Sequence, residues 1–442
     1  MLKKLTPIFA ACALMAVTAM CVSPDPYKPS GNHNNQEQPG PEKPDKPDDP
    51  ADPEEPGEAL PTDFLSAVET VAGMGAGWNL GNTYDANSGD TTNMWIEAWE
   101  PKLISSYEKA WGQVPATKEL FKMLRKKGFR CIRIPVTWYP HMGTDFNFGN
   151  HPPIWHPSEN PLGYTVDVAW MARIKEVVDY VLEADMYCIV NVHHDTGTAN
   201  THWVVADMDS YAQNCDRFKG LWAQIAETFK DYDGRLLFEA FNEMTDEADS
   251  WCFSSFGTPT NYDAGMARSA YDAVNAYAQD FVDVVRSTGG NNAQRNLIVN
   301  TYAACSGDGD WNPHLKDPLR EMKLPEDSVK DRLIFQVHYY PNFSSVAASK
   351  SSVDKMIAGL NENLVSKGAP VVVGEWGAGG DSQVNYDNHR DWFLQFATYF
   401  VKQAKANGIA TIYWMGITDG KDRSVPVFTQ EDLADAIIAG TK

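Results

Sequence analysis

Eight short apolar runs alternate with amphipathic runs along most of the chain, and this alternation constrains the fold more than any other feature. The apolar runs have the length of buried strands. The runs between them carry apolar residues at three-and-four spacing, which predicts helices with one face against a sheet. The predicted strands are 75–80, 130–136, 187–192, 236–241, 296–300, 333–338, 370–375 and 410–415.

Eight strand-helix units of this kind favour a closed (β/α)8 barrel, because successive parallel strands need a crossover of a dozen or more residues. A doubly wound open sheet is the competing fold, but no glycine-rich phosphate loop follows the first predicted strand. The predicted helices are 117–127, 168–183, 217–230, 267–287, 352–366 and 390–406.

Residues 61–442 form one predicted domain that is longer than the ~250 residues typical of this barrel. The extra length falls after the first five strands, which are at the C-terminal face where barrel enzymes carry their sites. The predicted enlarged loops are 83–113, 137–165, 195–214, 244–261 and 301–330.

The start of the chain has the layout of a bacterial export signal over residues 1–20. Lys3 and Lys4 precede an apolar run that is too short for a convincing membrane span. Cys21 follows Thr18-Ala19-Met20 and resembles the acylated cysteine of a lipoprotein; the alternative is an ordinary residue near a secretion cleavage site. We expect export, either to the medium or to a membrane through a lipid on Cys21.

Residues 21–60 predict a disordered, acidic, Pro-rich linker. Between residues 22 and 60 there are ten prolines, ten acidic residues and only three lysines, a composition that cannot bury a core. The whole chain has a formal net charge of −22, so nucleic acid and other anionic polymers are poor partners. We expect a neutral substrate and a monomeric protein.

Seven cysteines occur without the short spacing of a metal site. Cys131 and Cys188 lie in apolar runs and are expected to be buried. A disulfide among Cys215, Cys252 and Cys305 remains open for an exported protein.

The predicted strands end in side chains suited to hydrogen bonding, proton transfer or stacking. Among them, Glu243 and Glu375 are the two carboxylates, and they follow strands four and seven on nearly opposite sides of the barrel mouth. Glycoside hydrolysis needs two such carboxyl groups around the scissile bond. The full set of strand-end residues is Arg133, His193, His194, Asn242, Glu243, His338, Tyr340, Glu375 and Trp414.

An arginine directed into a barrel needs an anionic partner, and Glu375 is our candidate partner for Arg133. This pairing would favour the ionised form of Glu375, whereas Glu243 has no evident cation and would hold its proton. Glu239 faces the same way as Glu243 but lies deeper, so we expect a buried and paired acid. The alternative role of Asn242 is to cap the end of the strand. The alternative for His338 and Tyr340 is that they are core residues whose polar atoms are hydrogen-bonded within the protein.

The run His193-His194-Asp195 has the composition of a metal site. Neighbouring residues of a strand point to opposite faces, however, so the two imidazoles would not chelate one ion unless the strand has already ended. We expect no metal and no cofactor.

Aromatic residues are abundant in the predicted mouth loops, where their faces suit pyranose rings. Half of them are expected to form small loop cores instead. The set is Trp95, Trp99, Trp111, Trp138, Tyr139, Trp155, Trp203, Trp251, Phe253, Tyr302 and Trp311.

Seven motifs in this order resemble glycoside hydrolase family 5, the cellulase family of retaining (β/α)8 enzymes, over nearly all of residues 65–440. They are Gly77-Trp78-Asn79-Leu80-Gly81-Asn82-Thr83, Arg133-Ile134-Pro135-Val136-Thr137-Trp138, Asn191-Val192-His193-His194, Phe241-Asn242-Glu243, His338-Tyr339-Tyr340, Gly374-Glu375-Trp376-Gly377 and Tyr413-Trp414.

The resemblance implies Glu243 as acid/base and Glu375 as nucleophile. It implies sugar-binding or orienting roles for Arg133, His193, Asn242, His338, Tyr340 and Trp414. We add His194 and Trp138 as further candidate substrate-binding residues. The first two motifs look most like the endo-β-1,4-glucanase, lichenase and xyloglucanase branch. The implied activity is that of a retaining endo-β-1,4-glucanase, which with the export signal would suit the surface of a Gram-negative bacterium.

Two alternatives stay open. One is a β-mannanase of the same family, and the other is a non-catalytic surface glycan-binding lipoprotein built on the same barrel.

Overall fold

The computed structural model describes residues 59–86, 89–90, 93–94, 103–143, 163–196, 203–246, 262–309, 312–341, 345–377, 386–418 and 422–442. The predicted signal, Cys21, Cys252 and nearly all of the linker lie outside these ranges. So do six of the aromatic loop residues, Trp95, Trp99, Trp155, Trp251, Phe253 and Trp311.

Eight parallel strands close into a barrel in the order β1-β8-β7-β6-β5-β4-β3-β2, with β2 returning to β1. Each overlaps a predicted strand, which confirms the (β/α)8 fold. Their bounds are β1 Ala76–Asn79, β2 Cys131–Ile134, β3 Tyr187–Asn191, β4 Leu236–Glu239, β5 Leu297–Cys305, β6 Leu333–Tyr339, β7 Val371–Trp376 and β8 Ala410–Tyr413.

Helix α1 precedes β1, and the helices that follow the strands cover the outside of the barrel. Their bounds are α1 Ala67–Met74, α2 Ile104–Glu108, α3 Lys118–Lys127, α4 Val168–Glu183, α5 Met208–Thr228, α6 Ala264–Ser287, α7 Asp317–Glu321, α8 Val346–Asn363, α9 Tyr386–Ala406 and α10 Glu431–Gly440. No helix within the described ranges combines the length and the apolar character needed to cross a bilayer.

Two elements are longer than their sequence patterns indicate. Helix α5 begins at Met208, nine residues before the predicted start, because the Asp207 side chain accepts hydrogen bonds from the backbone N–H groups of Asp209 and Ser210 and caps the helix. Strand β5 continues to Cys305 instead of ending at residue 300. Residues 208–214 and 301–305 therefore belong to regular elements and not to the predicted mouth loops.

The lower part of the barrel interior is apolar. One cluster of buried residues joins inward-facing side chains from the strands with Val71 and Met74 of α1, so α1 closes the N-terminal end. A capping box between Ser66 and Glu69 begins this helix. The strand residues of the cluster include Cys131, Ile189, Leu237, Ile298, Ile334, Val372 and Ile412.

The cysteines within the described ranges are free thiols. Cys131 and Cys188 are buried as expected, and Cys215 and Cys305 do not form a disulfide with each other. Burial raises the pKa of the Cys131 thiol well above its usual range, so this thiol stays protonated.

Candidate active site

A polar layer lies above the apolar cluster, with one inward-facing residue from each of the first six strands. All six side chains are fully buried. Alternation along the strands explains the layer, because in β2 to β6 the polar residue lies two positions after a residue of the apolar cluster. The members, from β1 to β6, are Asn79, Arg133, Asn191, Glu239, Asn300 and Gln336.

Arg133 is the centre of the polar layer. Its Nε and Nη2 donate to the two carboxylate oxygens of Glu239 at 2.6 and 2.7 Å, and its Nη1 donates to Glu375 Oε1 at 2.7 Å. Asn79 Oδ1 and Asn242 Oδ1 accept further hydrogen bonds from the same guanidinium. Burial opposes the charge on Arg133, but the two carboxylates raise its pKa above the ordinary value.

Glu239 is the buried and paired acid that the sequence indicates. Besides Arg133, Asn191 Nδ2 and Asn300 Nδ2 donate to its Oε1 at 3.1 and 3.3 Å. Burial would raise the pKa of Glu239, but the charge and hydrogen bonds of Arg133 and the donor from Asn191 hold it below its usual range.

Glu375 ends β7 directly above this layer. Arg133 holds its Oε1, and the Tyr340 hydroxyl donates to its Oε2 at 2.8 Å. Burial raises the pKa of Glu375, and the Arg133 charge and hydrogen bond act in the opposite direction. Arg133 therefore favours the ionised form as expected, but it does not bring this pKa below the ordinary value.

Glu243 follows β4 on the other side of the mouth. Its Oε1 lies 2.7 Å from His338 Nδ1, and 27% of its side chain is exposed, so solvent and substrate can reach it. Burial raises the pKa of Glu243 to about 7, and the more distant charge of Arg133 offsets this only in part. Burial lowers the pKa of His338 to about 4, which makes the imidazole neutral at neutral pH.

The two candidate catalytic carboxylates face each other closely. One oxygen of Glu243, one oxygen of Glu375 and one ring nitrogen of His338 all lie within 4.8 Å of one another. Two carboxyl groups at such a short separation have the spacing of retaining glycosidases, since inverting enzymes leave room for a water molecule at about 6.5–9.5 Å.

Stacking groups border the carboxylates. The Trp414 indole and the His193 imidazole are parallel, with centroids 5.9 Å apart. The His194 ring makes edge contacts with His193 and with the half-buried Trp111. A side chain on Gly81 would come within 3.0 Å of the Trp414 ring, so the absence of a Cβ there keeps this wall in place.

The structure buries two of the residues proposed to bind or orient the substrate. Trp138 is fully buried in the core, where its Nε1 donates to the Asn191 carbonyl, so its ring cannot stack on a sugar. Arg133 is also fully buried and uses its donors on protein acceptors, among them Glu375 Oε1, which fits the orienting role expected for it and not the sugar-binding one. Asn242, by contrast, accepts a hydrogen bond from Arg133 at its Oδ1, and its Nδ2 has no partner in the described part of the chain.

The aromatic loop residues within the described ranges mostly serve the fold. Trp138, Tyr139, Trp203 and Tyr302 are buried, and Trp111 is half-buried beside His194. Asp195 explains part of this packing, because its carboxylate accepts hydrogen bonds from the Trp203 indole and from the backbone N–H groups of Trp138 and Tyr139.

Two groups of side chains have the composition of a cation site. Glu243, His338 and Glu375 form one, and Asp85, His193 and His194 form the other, each with ligand atoms within 4.8 Å. The strand argument against chelation by His193 and His194 does not apply, because β3 ends at Asn191 and both histidines lie beyond the regular strand.

Sequence reasoning missed Asn79 and Asn191 as parts of the site. Asn79 Nδ2 donates to the Gly374 carbonyl at 2.9 Å, which ties β1 to the strand that carries Glu375. Both asparagines are the last residue of their strands. The sequence search took polar side chains at the C-terminal ends of the predicted strands. The same search extended one or two residues toward the N-terminus would have found both asparagines.

A (β/α)8 barrel with two close carboxylates at its C-terminal mouth, bordered by stacking rings, defines the class of barrel glycoside hydrolases. Residues 90–419 match the sequence profile described as Cellulase (glycosyl hydrolase family 5). The chain belongs to this family.

Curated relatives include Endoglucanase A of Clostridium longisporum, which is 33% identical over 399 residues, and Endoglucanase B of Neocallimastix patriciarum, which is 32% identical over 360. The alignments cover 85% and 79% of this chain but 66% and 65% of the relatives. The chain thus spans just under two thirds of the length of these two proteins.

Solved structures extend the similarity. A broad-specificity endoglucanase of subfamily 4 from an uncultured bacterium is 46% identical, with a TM-score of 0.76, and the match covers 86% of this chain and 97% of that one. A family 5 enzyme variant from Prevotella bryantii B14, in complex with a xyloglucan tetradecasaccharide, is 36% identical with a TM-score of 0.70, covering 86% and 99%.

Proposed function

We propose that the protein is a retaining endo-β-1,4-glucanase that cleaves a neutral β-glucan such as cellulose, mixed-linkage β-glucan or xyloglucan. The observation that carries this proposal is the close approach of Glu243 and Glu375 across the barrel mouth, with one oxygen of each within 4.8 Å. Their surroundings differ in the way that two-step hydrolysis requires, because Glu375 contacts Arg133 and Glu243 does not.

In the first step, the Glu243 carboxyl group donates its proton to the glycosidic oxygen, and Glu375 attacks the anomeric carbon from the opposite face. The bond to the leaving sugar breaks, and a glycosyl ester forms on Glu375. The pKa of about 7 keeps a large fraction of Glu243 protonated at neutral pH.

In the second step, the Glu243 carboxylate removes a proton from a water molecule, which attacks the same anomeric carbon. The ester bond breaks, the sugar leaves with retained configuration, and Glu375 returns to its carboxylate form. Arg133 and Tyr340 hold the two oxygens of Glu375, so they orient the nucleophile during attack and stabilise its charge on departure.

The preference for glucans draws support from the relatives. The curated relatives named above are endoglucanases, and a family 5 lichenase variant from Caldicellulosiruptor sp. F32, 29% identical with a TM-score of 0.67, is in complex with cellotetraose. A Prevotella bryantii protein that contains a similar domain is described as an endo-β-mannanase/endo-β-glucanase, which keeps mannan as the second candidate substrate.

The test is hydrolysis of carboxymethyl cellulose, barley β-glucan, xyloglucan and glucomannan by the wild type, Glu243→Gln and Glu375→Gln. We expect reducing ends from glucans with the wild type and a loss of at least about a thousandfold in both variants. Higher activity on glucomannan would favour the mannanase. Equal, very slow release by all three proteins would identify a glycan-binding protein without catalysis.

A retaining mechanism makes a further demand on the two carboxylates. In the truncated variants Glu243→Ala and Glu375→Ala, which leave room for azide where glutamine would not, azide and an activated aryl glycoside should give the β-glycosyl azide with Glu243→Ala and the α-glycosyl azide with Glu375→Ala. Azide products of a single configuration from both variants would contradict the assigned roles.

We also propose that the protein is exported and carries a lipid on Cys21. The basic and apolar start of the chain supports this proposal. Cys21→Ser should move the protein from the membrane fraction to the soluble fraction of its bacterial host, and an unchanged distribution would exclude the lipid anchor.

A further inference from the structure

Asn191 connects the polar layer to His193, and its amide orientation is determined by two unambiguous partners. Its Oδ1 accepts a hydrogen bond from the backbone N–H of Val136 at 3.0 Å, and its Nδ2 donates to Glu239 Oε1 at 3.1 Å. A backbone N–H only donates, and a carboxylate paired with arginine only accepts. A flipped amide would lose both contacts, so Nδ2 occupies the position shown.

The second hydrogen of the same Nδ2 group faces His193 Nδ1 at 3.0 Å. That nitrogen must therefore accept, and in a neutral imidazole the proton is then carried by Nε2. Burial, together with the charges of His194 and Arg133, lowers the pKa of His193 well below its usual range, so the ring remains neutral.

We propose that Asn191 is a positioning residue that holds His193 in its Nε2–H tautomer and so makes it a hydrogen-bond donor beside Glu375. His193 Nε2 lies 3.9 Å from Glu375 Oε1, which is too far for a direct hydrogen bond. The Nε2–H group is therefore left to donate a hydrogen bond to an oxygen of the sugar that occupies the space next to Glu375. This last step rests on the proposed glycanase function.

The same arrangement has a second consequence for Asp85, His193 and His194, whose ligand atoms lie within 4.8 Å of one another. Two imidazoles and a carboxylate are a ligand set for transition metals. Metal-bound histidines usually donate their other N–H to an acceptor, whereas Asn191 offers a donor at this place. Both nitrogens of His193 are therefore closed to a metal, one by the Asn191 amide and the other by its own proton.

The direct test is nitrogen NMR of the full chain labelled with 15N-histidine, with the His193 signals assigned by their loss in His193→Gln. We expect one protonated nitrogen, Nε2, and one bare nitrogen, Nδ1, without substrate present. A protonated Nδ1 would overturn the proposal. Because no sugar is involved, the result is independent of whether the protein cleaves glucans.

The role of Asn191 is tested by Asn191→Leu, which removes the donor with little change in volume. In folded protein, checked by thermal melting and near-ultraviolet circular dichroism, the His193 signals should change to a mixture of tautomers. A pure Nε2–H pattern in this variant would show that Asn191 does not select the tautomer. If the variant does not fold, Asn191→Asp provides the second test, because its carboxylate should move the His193 proton to Nδ1, and an unchanged Nε2–H pattern there would overturn the role of Asn191.

Asn191→Asp tests the metal consequence, because a carboxylate accepts from Nδ1–H and leaves the Nε2 lone pair open. Titration with Co²⁺ alone should show an affinity at least about tenfold higher than in the wild type, and Asn191→Asp/His194→Ala should cancel the gain. Equal cobalt affinity in the wild type and Asn191→Asp would overturn the part of the proposal that concerns metal exclusion.

Discussion

Arg133 and Glu239 form a bidentate ion pair at 2.6 and 2.7 Å, and both side chains are fully buried beneath Glu243 and Glu375. The same guanidinium also holds Glu375 at 2.7 Å. Glu239, a buried structural acid, and Glu375, the proposed nucleophile, therefore share one cation, and a change in one carboxylate should alter the electrostatic environment of the other.

Replacement of Glu239 should reduce stability and activity together. Glu239→Gln removes one charge of a fully buried pair, and we expect the free energy of unfolding to fall by about 3–5 kcal/mol, measured by chemical denaturation. Arg133→Met/Glu239→Leu should recover part of this stability, because it removes both buried charges, but it should remain inactive since Glu375 has lost its cation. An active double variant would contradict this role of Arg133.

The pH dependence of kcat/KM should have an alkaline limb near pH 7. Glu243 must be protonated to act as the acid, and burial raises its pKa to about 7, so activity should fall as the pH rises through this value. The measurement uses a substrate with a poor leaving group, for which acid assistance is required. With an activated aryl glycoside the limb should weaken, and a limb of equal depth for both substrates would argue against Glu243 as its source.

Glu243 should also make stability depend on pH. Its pKa is raised from 4.5 to about 7, so the folded protein holds this proton more tightly, and its stabilising contribution is lost as the pH rises through this interval. Glu243→Gln stays neutral at every pH. The free energy of unfolding of this variant minus that of the wild type should therefore be larger at pH 8 than at pH 4, by up to about 3 kcal/mol. The same difference between the two proteins at both pH values would show that the carboxyl group is not perturbed.

Removal of the Tyr340 hydroxyl should affect catalysis more than folding. Tyr340→Phe deletes the 2.8 Å hydrogen bond to Glu375 Oε2. A hydrogen bond to a charged group contributes about 1.5–3 kcal/mol, so kcat should fall roughly 10- to 150-fold. Tyr399→Phe is a matched control, because its hydroxyl donates to the exposed Asp354 and it should retain full activity. Equal losses in both variants would contradict the prediction.

Gly374 should be intolerant of even one methyl group. An added Cβ would lie 2.3–2.6 Å from the side-chain amide of Gln336, and we expect Gly374→Ala to cost about 1–3 kcal/mol of stability by denaturant unfolding. Gln336→Ala in the same chain should relieve the clash. Gly359→Ala, in α8 with open space around the added atom, should instead be neutral or stabilising. Additive effects of Gly374→Ala and Gln336→Ala would exclude the contact.

Several features of the site could be predicted because each depends on residues that are close in sequence. The apolar run 236–241 predicts β4, which the structure places at Leu236–Glu239, and the parity of the following residues brings Glu243 to the mouth. The need of a buried arginine for an anion predicted the contact of Arg133 with Glu375. The sequence also assigned Trp138 to the substrate. The structure buries it, and the sequence could not show this because an aromatic residue in a loop and one in the core have the same sequence pattern.

The sequence by itself determined the alternation of eight strands with helices and the positions of Glu243 and Glu375 at the ends of two strands, because these follow from periodicity. It also determined that Glu239 is a buried and paired acid, because an unpaired buried charge is costly. Only the tertiary structure decided that Arg133 bridges Glu239 and Glu375 and that β5 and α5 extend into the predicted loops. It also decided that Asn191 determines which ring nitrogen of His193 carries the proton. The contacts of Arg133, and those that fix the Asn191 amide on Val136 and Glu239, join residues that are 40 or more positions apart in the chain, and closing the barrel brings these groups within hydrogen-bond distance.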